Sequence, residues 1–163
     1  MTINPQAVFE TTWWEHCGET PWEDIPGCNR GRRKSAIFRC LETGEEKLSH
    51  DLPVGALYTL DREGCTDING WPPAAPHDGL AIACVCLGRG GPETRYHWHI
   101  ESRASNCTLP GDKEHRCWVR HGTVGEKLTV DKNGKTCAAG AGSFFMGPNQ
   151  EWHGFLRAGR LTP

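Results

Sequence analysis

Residues 80–101 read LAIACVCLGRGGPETRYHWHIE, and this stretch predicts the fold. Leu80–Leu87 is an almost unbroken apolar run, which is typical of a strand buried on both faces. After a glycine-rich turn, Arg95–Glu101 alternates in character, as a strand does because its successive side chains point to opposite faces. One face carries Tyr96, Trp98 and Ile100, and the other carries His97, His99 and Glu101.

Outward from this stretch, short strand patterns alternate with turns. Strands are predicted within residues 35–40, 55–60, 117–120, 127–137, 143–146 and 155–157, and Asn133-Gly134 is typical of a hairpin tip. Prolines and glycines interrupt the chain too often for a long amphipathic helix. We therefore predict a mostly β protein, a single antiparallel sandwich or small barrel formed by residues 36–163. Residues 1–35 predict an irregular N-terminal arm that packs its tryptophans onto a core, its own or a neighbour's.

The composition narrows the class of protein. A chain of 163 residues is long enough for one sizeable core. A net charge of -2 argues against binding nucleic acid or a membrane surface by bulk electrostatics. The nine cysteines are an odd number, so they cannot all pair within one chain. Because the N-terminus lacks the features of a secretory signal, we expect a protein made in the cytoplasm, where thiols bind zinc more often than they form disulfides.

The best metal-ligand pattern consists of Cys107, His115, Cys117 and His121. Thiolates and imidazoles suit tetrahedral zinc, and four such ligands would close a structural site. The spacing differs from that of a zinc finger, because the chain has no Cys-x-x-Cys pair. In the alternative, Cys107 and Cys117 form a disulfide with each other or pack as small apolar side chains. We predict that a structural zinc ion or disulfides stabilise the β domain by linking these residues.

The histidine-bearing strand suggests a different chemistry. The spacing around His97, His99 and His153 resembles the two cupin motifs, and would make a metal-dependent enzyme that also uses Glu101. However, Glu101 falls too early for those motifs, and glycines expected after each are missing. His99-x-Glu101 also resembles a pair in zinc deaminases, but their later Pro-Cys-x-x-Cys is absent. The favoured interpretation is the polar outer face of an antiparallel strand, and no catalytic residue is assigned.

Several blocks resemble one protein family. They are residues 26–28, 38–40, 52–56, 102–107, 115–122, 136–143 and 153–156. These blocks resemble small proteins, rich in cysteine and tryptophan, that tailed bacteriophages and prophages encode. The family has no established activity, so the resemblance implies a context: a phage-encoded protein that forms part of the virion.

We therefore expect a virion structural protein, such as a capsid decoration or cement protein or a head–tail component. It would be made in the cytoplasm of the host bacterium and would contact the major capsid protein or further copies of itself. Neither membrane binding nor direct nucleic-acid binding is expected. In this interpretation the arm buries Trp13, Trp14 and Trp22 against a neighbouring subunit. The alternatives are the metal-dependent enzyme and a regulatory module that binds a host protein.

Overall fold

The computed structural model describes residues 7–29, 31–60, 80–87, 95–101, 107–109, 111–112, 115–131, 144–146 and 152–163. Apart from one 3-10 turn at Ser49–Asp51, the regular structure in these residues is β-strand. The strands are β1 Phe9–Glu10, β2 Thr12–Glu19, β3 Glu23–Asp24, β4 Arg32–Arg33, β5 Ala36–Cys40, β6 Glu46–Leu48, β7 Ala56–Leu60, β8 Ala81–Leu87, β9 Arg95–His99, β10 Val119–His121, β11 Thr129–Asp131, β12 Phe144–Met146, β13 Trp152–Arg157 and β14 Arg160–Thr162.

The largest sheet has six strands in the order β6-β5-β2-β7-β8-β9, and it curls into a half-barrel. Its strands run antiparallel, with the exception of the parallel pair β2–β7. A four-stranded sheet has the order β1-β14-β13-β12, and two small ribbons consist of β10–β11 and β3–β4. The prediction of a mostly β protein is confirmed.

Strand β2 lies inside the segment that the sequence predicts as an arm, yet it is an interior strand of the half-barrel. It pairs with β5 on one side and with β7 on the other. Trp13 and Trp14 are 7% and 4% exposed, and as neighbours on a strand they enter different cores on the two faces of the sheet. These two tryptophans therefore contribute to the chain's own core, whereas Trp22 is exposed.

Strands β8 and β9 confirm the two strands predicted within residues 80–101, although β9 ends at His99, two residues before Glu101. Six of the seven residues of β8 are buried, because both faces of this strand carry apolar neighbours. The larger core contains Trp13, Val54, Leu57, Ile82, Cys84, Cys86, Leu87, Trp98, Ile100, Cys117, Trp118, Leu128, Val130, Leu156 and Leu161. The smaller core, on the other face, contains Trp14, Phe38, Cys40, Leu52, Ala56, Tyr58, Ala83 and Val85.

A second layer covers the larger core. Strands β10 and β11 pair with each other from Val119↔Asp131 to His121↔Thr129. The Asn-Gly tip predicted after β11 lies outside the described residues. The Trp13 indole N–H donates to the carbonyl of Glu126 at 2.9 Å, and the Gly159 N–H donates to the carbonyl of Leu128 at 2.9 Å. These bonds join the ribbon to β2 and to the turn between β13 and β14, so the second layer is held to the half-barrel by polar as well as apolar contacts.

Candidate metal centre

Three side chains of the predicted metal-ligand set meet at the edge of the larger core. A ligand atom from each of Cys107, His115 and Cys117 lies within 4.8 Å of the other two, and these atoms are buried. The Cys117 Sγ and the His115 Nε2 are 3.8 Å apart. This buried Cys-His-Cys group can hold a metal ion, since two sulfurs and one ring nitrogen converge on one point. Among the described residues, no other group of three or more such side chains converges in this way.

The hydrogen bonding of Cys107 suits a metal-bound thiolate. The backbone N–H of Leu109 donates to the Cys107 Sγ at 3.4 Å. A backbone donor directed at sulfur stabilises negative charge on it. His115 and Cys117 are 8% and 1% exposed, so the protein closes over this side of the group.

The segment around Cys117 is anchored by an aromatic contact and by a buried ion pair. The rings of Trp98 and Trp118 pack edge to face with centroids 6.4 Å apart. The guanidinium of Arg120, which is 1% exposed, lies 3.3 Å from a carboxylate oxygen of Glu101. The same guanidinium donates to the carbonyl of Leu80 at 3.2 Å and to that of Gly122 at 2.5 Å. Arg120 thus ties the start of β10 to the beginning of β8 and the end of β9.

His121 does not belong to the converging group. It lies on β10, is exposed, and its Nε2 is 2.9 Å from a carboxylate oxygen of Asp131 on the paired strand. In a strand, residues 117 and 121 are four positions apart and can share a face, but the chain at Cys117 has not yet entered β10. The structure therefore brings together three of the four residues in the predicted ligand set.

The structure separates Glu101 from His97, two residues of the enzyme interpretation. His97 faces the smaller core, where its Nδ1 is 2.6 Å from the hydroxyl of Tyr58. Burial lowers the pKa of His97, and nearby His99 lowers it further. Glu101 lies beyond the end of β9 and contacts Arg120, so it does not share a site with His97. The side chain of His153 lies outside the described residues.

The remaining described cysteines lie in distinct environments. Burial, together with neighbouring Cys84, raises the pKa of the Cys86 thiol well above its ordinary value, and a thiol with a raised pKa is a poor nucleophile at neutral pH. Burial also raises the pKa of Cys40, but hydrogen bonds from Thr43 and from the backbone of Glu42 outweigh it, so the net pKa is lowered. Cys17 and Cys28 are exposed.

Sequence reasoning missed Arg120 and Tyr58, the two side chains that hold Glu101 and His97. Within the predicted strand at residues 117–120, Arg120 looks like an ordinary exposed polar residue. Only its nearly complete burial in the structure identifies it as a residue that holds the site together. Tyr58 sits in a strand that the pattern does identify. No signal in either local sequence indicates the partner, because each partner lies in a distant part of the chain.

The fold and the site together define a β protein with a buried Cys-His-Cys group. Comparison of the chain with protein-family models, with curated proteins and with solved structures finds no significant match. In the described part of the chain, no helix has the length and apolar character needed to cross a bilayer.

Proposed function

We propose that Cys107, His115 and Cys117 bind a zinc ion with a structural role. Sulfur and imidazole ligands favour zinc over the hard cations magnesium and calcium, which prefer oxygen. A structural site is closed, and the low exposure of His115 and Cys117 fits that requirement. Zinc takes four ligands, and these side chains supply three of them.

The position of the site explains what the metal contributes. The described residues from 107 to 131 include only two strands of three residues each, β10 and β11. Yet this segment places Cys117, Trp118, Leu128 and Val130 in the larger core. A segment with so few ladder hydrogen bonds resists opening poorly on its own. A metal that joins Cys107 to His115 and Cys117 would fix the segment against the half-barrel.

From this site we infer that the protein is structural rather than catalytic, and that it is a bacteriophage virion component, such as a decoration, cement or head–tail protein. The observation that carries the structural role is the burial of the single described metal-ligand group. The resemblance of the sequence blocks to phage-encoded proteins supports the virion context. The partners in this proposal are the major capsid protein or further copies of the chain.

Trp22 is the side chain best placed for such contacts. It is 56% exposed on the segment that leads into the β3–β4 ribbon, and Lys34 lies 5.4 Å from its ring centre. Exposed tryptophans are enriched among the residues that dominate protein interfaces. Trp13 and Trp14 belong to the chain's own core, so only Trp22 remains of the three that the sequence assigned to a neighbour.

Metal analysis of the purified chain tests the zinc site. We expect one zinc per chain in the wild type and in His121→Ala, and loss of zinc in His115→Ala. Zinc should stabilise the wild type by about 2.7 kcal/mol when free zinc is a hundred times the Kd, because it binds the folded state alone. His121→Ala is the matched control, since it removes a nearby exposed imidazole. Full zinc content in His115→Ala would refute the site.

Mass spectrometry tests the virion role. Particles of the phage or prophage that encodes the chain are purified on a density gradient, and their proteins are identified. We expect the chain at a fixed ratio to the major capsid protein. Its presence in infected cells but absence from the particles would refute the virion role and leave the zinc site unaffected.

A further inference from the structure

The two cysteines of the Cys-His-Cys group differ in exposure. Cys117 is 1% exposed, whereas Cys107 is partly exposed although its ligand atom lies within the buried group. Cys107 also receives the N–H of Leu109 at its sulfur. A partly exposed cysteine with a second cysteine sulfur within reach is typical of residues that undergo reversible oxidation.

We propose that Cys107 is a site of reversible oxidation by hydroperoxides, that Cys117 resolves it as a disulfide, and that the disulfide displaces the metal. This inference rests on the proposed zinc site. The two sulfurs lie within 4.8 Å of each other, and a disulfide needs about 2.05 Å. To form the bond, the two sulfurs must therefore approach each other by at most about 2.8 Å.

The chemistry balances with hydrogen peroxide as the oxidant. The Cys107 thiolate attacks one peroxide oxygen, so that an S–O bond forms, the O–O bond breaks and hydroxide leaves. The sulfur is oxidised by two electrons, and the peroxide is reduced. The Cys117 thiolate then attacks the Cys107 sulfur, so that the S–S bond forms, the S–O bond breaks and a second hydroxide leaves. A zinc ion held by this group would lose both sulfur ligands and keep His115 alone, so its release would follow.

Three of the other described cysteines are poorer candidates for this reaction. Cys84 and Cys86 are fully buried, so an oxidant has no access to either, and burial also raises the pKa of Cys86. Cys17 is exposed, but its thiol donates to the carbonyl of Ile37 at 3.4 Å. The Cys-His-Cys group combines a partly exposed cysteine with a second sulfur within 4.8 Å.

Stoichiometric oxidation of the zinc-loaded full chain tests the proposal. The protein is freed of reductant and treated with one equivalent of hydrogen peroxide, and released zinc is followed with the chromophore 4-(2-pyridylazo)resorcinol. We expect release of one zinc per chain, a Cys107–Cys117 link in peptide mass spectrometry without reduction, and rebinding of zinc after dithiothreitol. Cys17→Ser, which removes an exposed thiol outside the site, should release zinc as the wild type does.

The outcomes separate the redox role from the zinc site. Zinc that stays bound while peroxide oxidises Cys17 would overturn the redox proposal and leave the zinc site standing. Zinc release with Cys107 as a sulfinic acid, or linked to a cysteine other than Cys117, would also overturn it. A reduced chain that binds no zinc would overturn both proposals. In Cys107→Ser the disulfide should be lost completely, and persistence of a Cys117 disulfide there would refute the assigned pair.

Discussion

Replacement of Arg120 by methionine should destabilise the protein strongly. The contacts of its guanidinium within the described part of the chain include a carboxylate oxygen of Glu101 and the carbonyl oxygens of Leu80 and Gly122. Its side chain is 0% exposed and that of Glu101 is 6% exposed. Methionine keeps most of the aliphatic volume but removes the charge. Removing one partner of a buried ion pair costs about 3–5 kcal/mol, because the other charge stays in a low-dielectric site.

The double variant Arg120→Met, Glu101→Leu separates the buried charge from the other hydrogen bonds. It leaves no ion behind, and it loses the bonds to the two carbonyls, each worth about 1 kcal/mol net. We expect the double variant to cost about 2 kcal/mol, less than the single Arg120→Met. The free energy of unfolding is measured by urea titration of tryptophan fluorescence, with zinc in excess and again with a chelator, so that metal loss is not mistaken for loss of the pair.

The control is Arg160→Met. Arg160 pairs with Glu10 at 2.7 Å, a shorter distance than in the buried pair, but both side chains are more than 60% exposed. An exposed pair contributes about 0–1 kcal/mol because water solvates both charges. If Arg120→Met costs less than about 1 kcal/mol, or if the double variant costs more than the single variant, then the unpaired carboxylate of Glu101 carries no large penalty.

Two further predictions use the same unfolding assay. Because burial lowers the pKa of His97 in the folded protein, the unfolded chain takes up this proton first as the pH falls. The contribution of His97 to stability should be complete above about pH 6.5 and decline at lower pH. His97→Asn should therefore flatten the dependence of the unfolding free energy on pH, whereas the exposed control His50→Asn should not. An equal pH dependence in the two variants would contradict the role of His97. Gly55 has a φ of 94°, and an added Cβ would lie 2.7 Å from the carbonyl oxygen of Glu10. Gly55→Ala should lower the unfolding free energy by about 1–3 kcal/mol. Gly44 also has a positive φ, of 73°, but an added Cβ there would have nothing within 4 Å, so Gly44→Ala should cost less. Equal costs would contradict a steric clash at Gly55.

The strands and the ligand trio illustrate what local sequence can predict. Strand β8 is apparent from an apolar run, because a strand buried on both faces needs apolar residues at every position. Cys107, His115 and Cys117 lie close in sequence, so a short loop can bring them together without information from distant parts of the chain. In both cases the deciding interactions are local or follow from a simple period.

The central position of β2 illustrates what local sequence does not predict. Its residues read TWWEHCGE, and neither turn signals nor regular alternation mark them as a strand. The strand forms because β5 and β7 supply hydrogen bonds on its two sides, and the β7 partner is more than forty residues away. A bulge between His16 and Gly18 also interrupts its pairing register, which disturbs the alternation that a sequence pattern requires.

By itself, then, the sequence determined the mostly β class, the strands β8 and β9, and three ligands of the candidate metal centre. Only the tertiary structure decided that Trp13 and Trp14 serve the chain's own core, that His121 pairs with Asp131, and that Arg120 holds Glu101. Hydrophobic periodicity and ligand spacing depend on residues within one strand or one loop, so they can be predicted from the local sequence. The partner of a polar side chain is instead set by which distant strands the sheet places side by side.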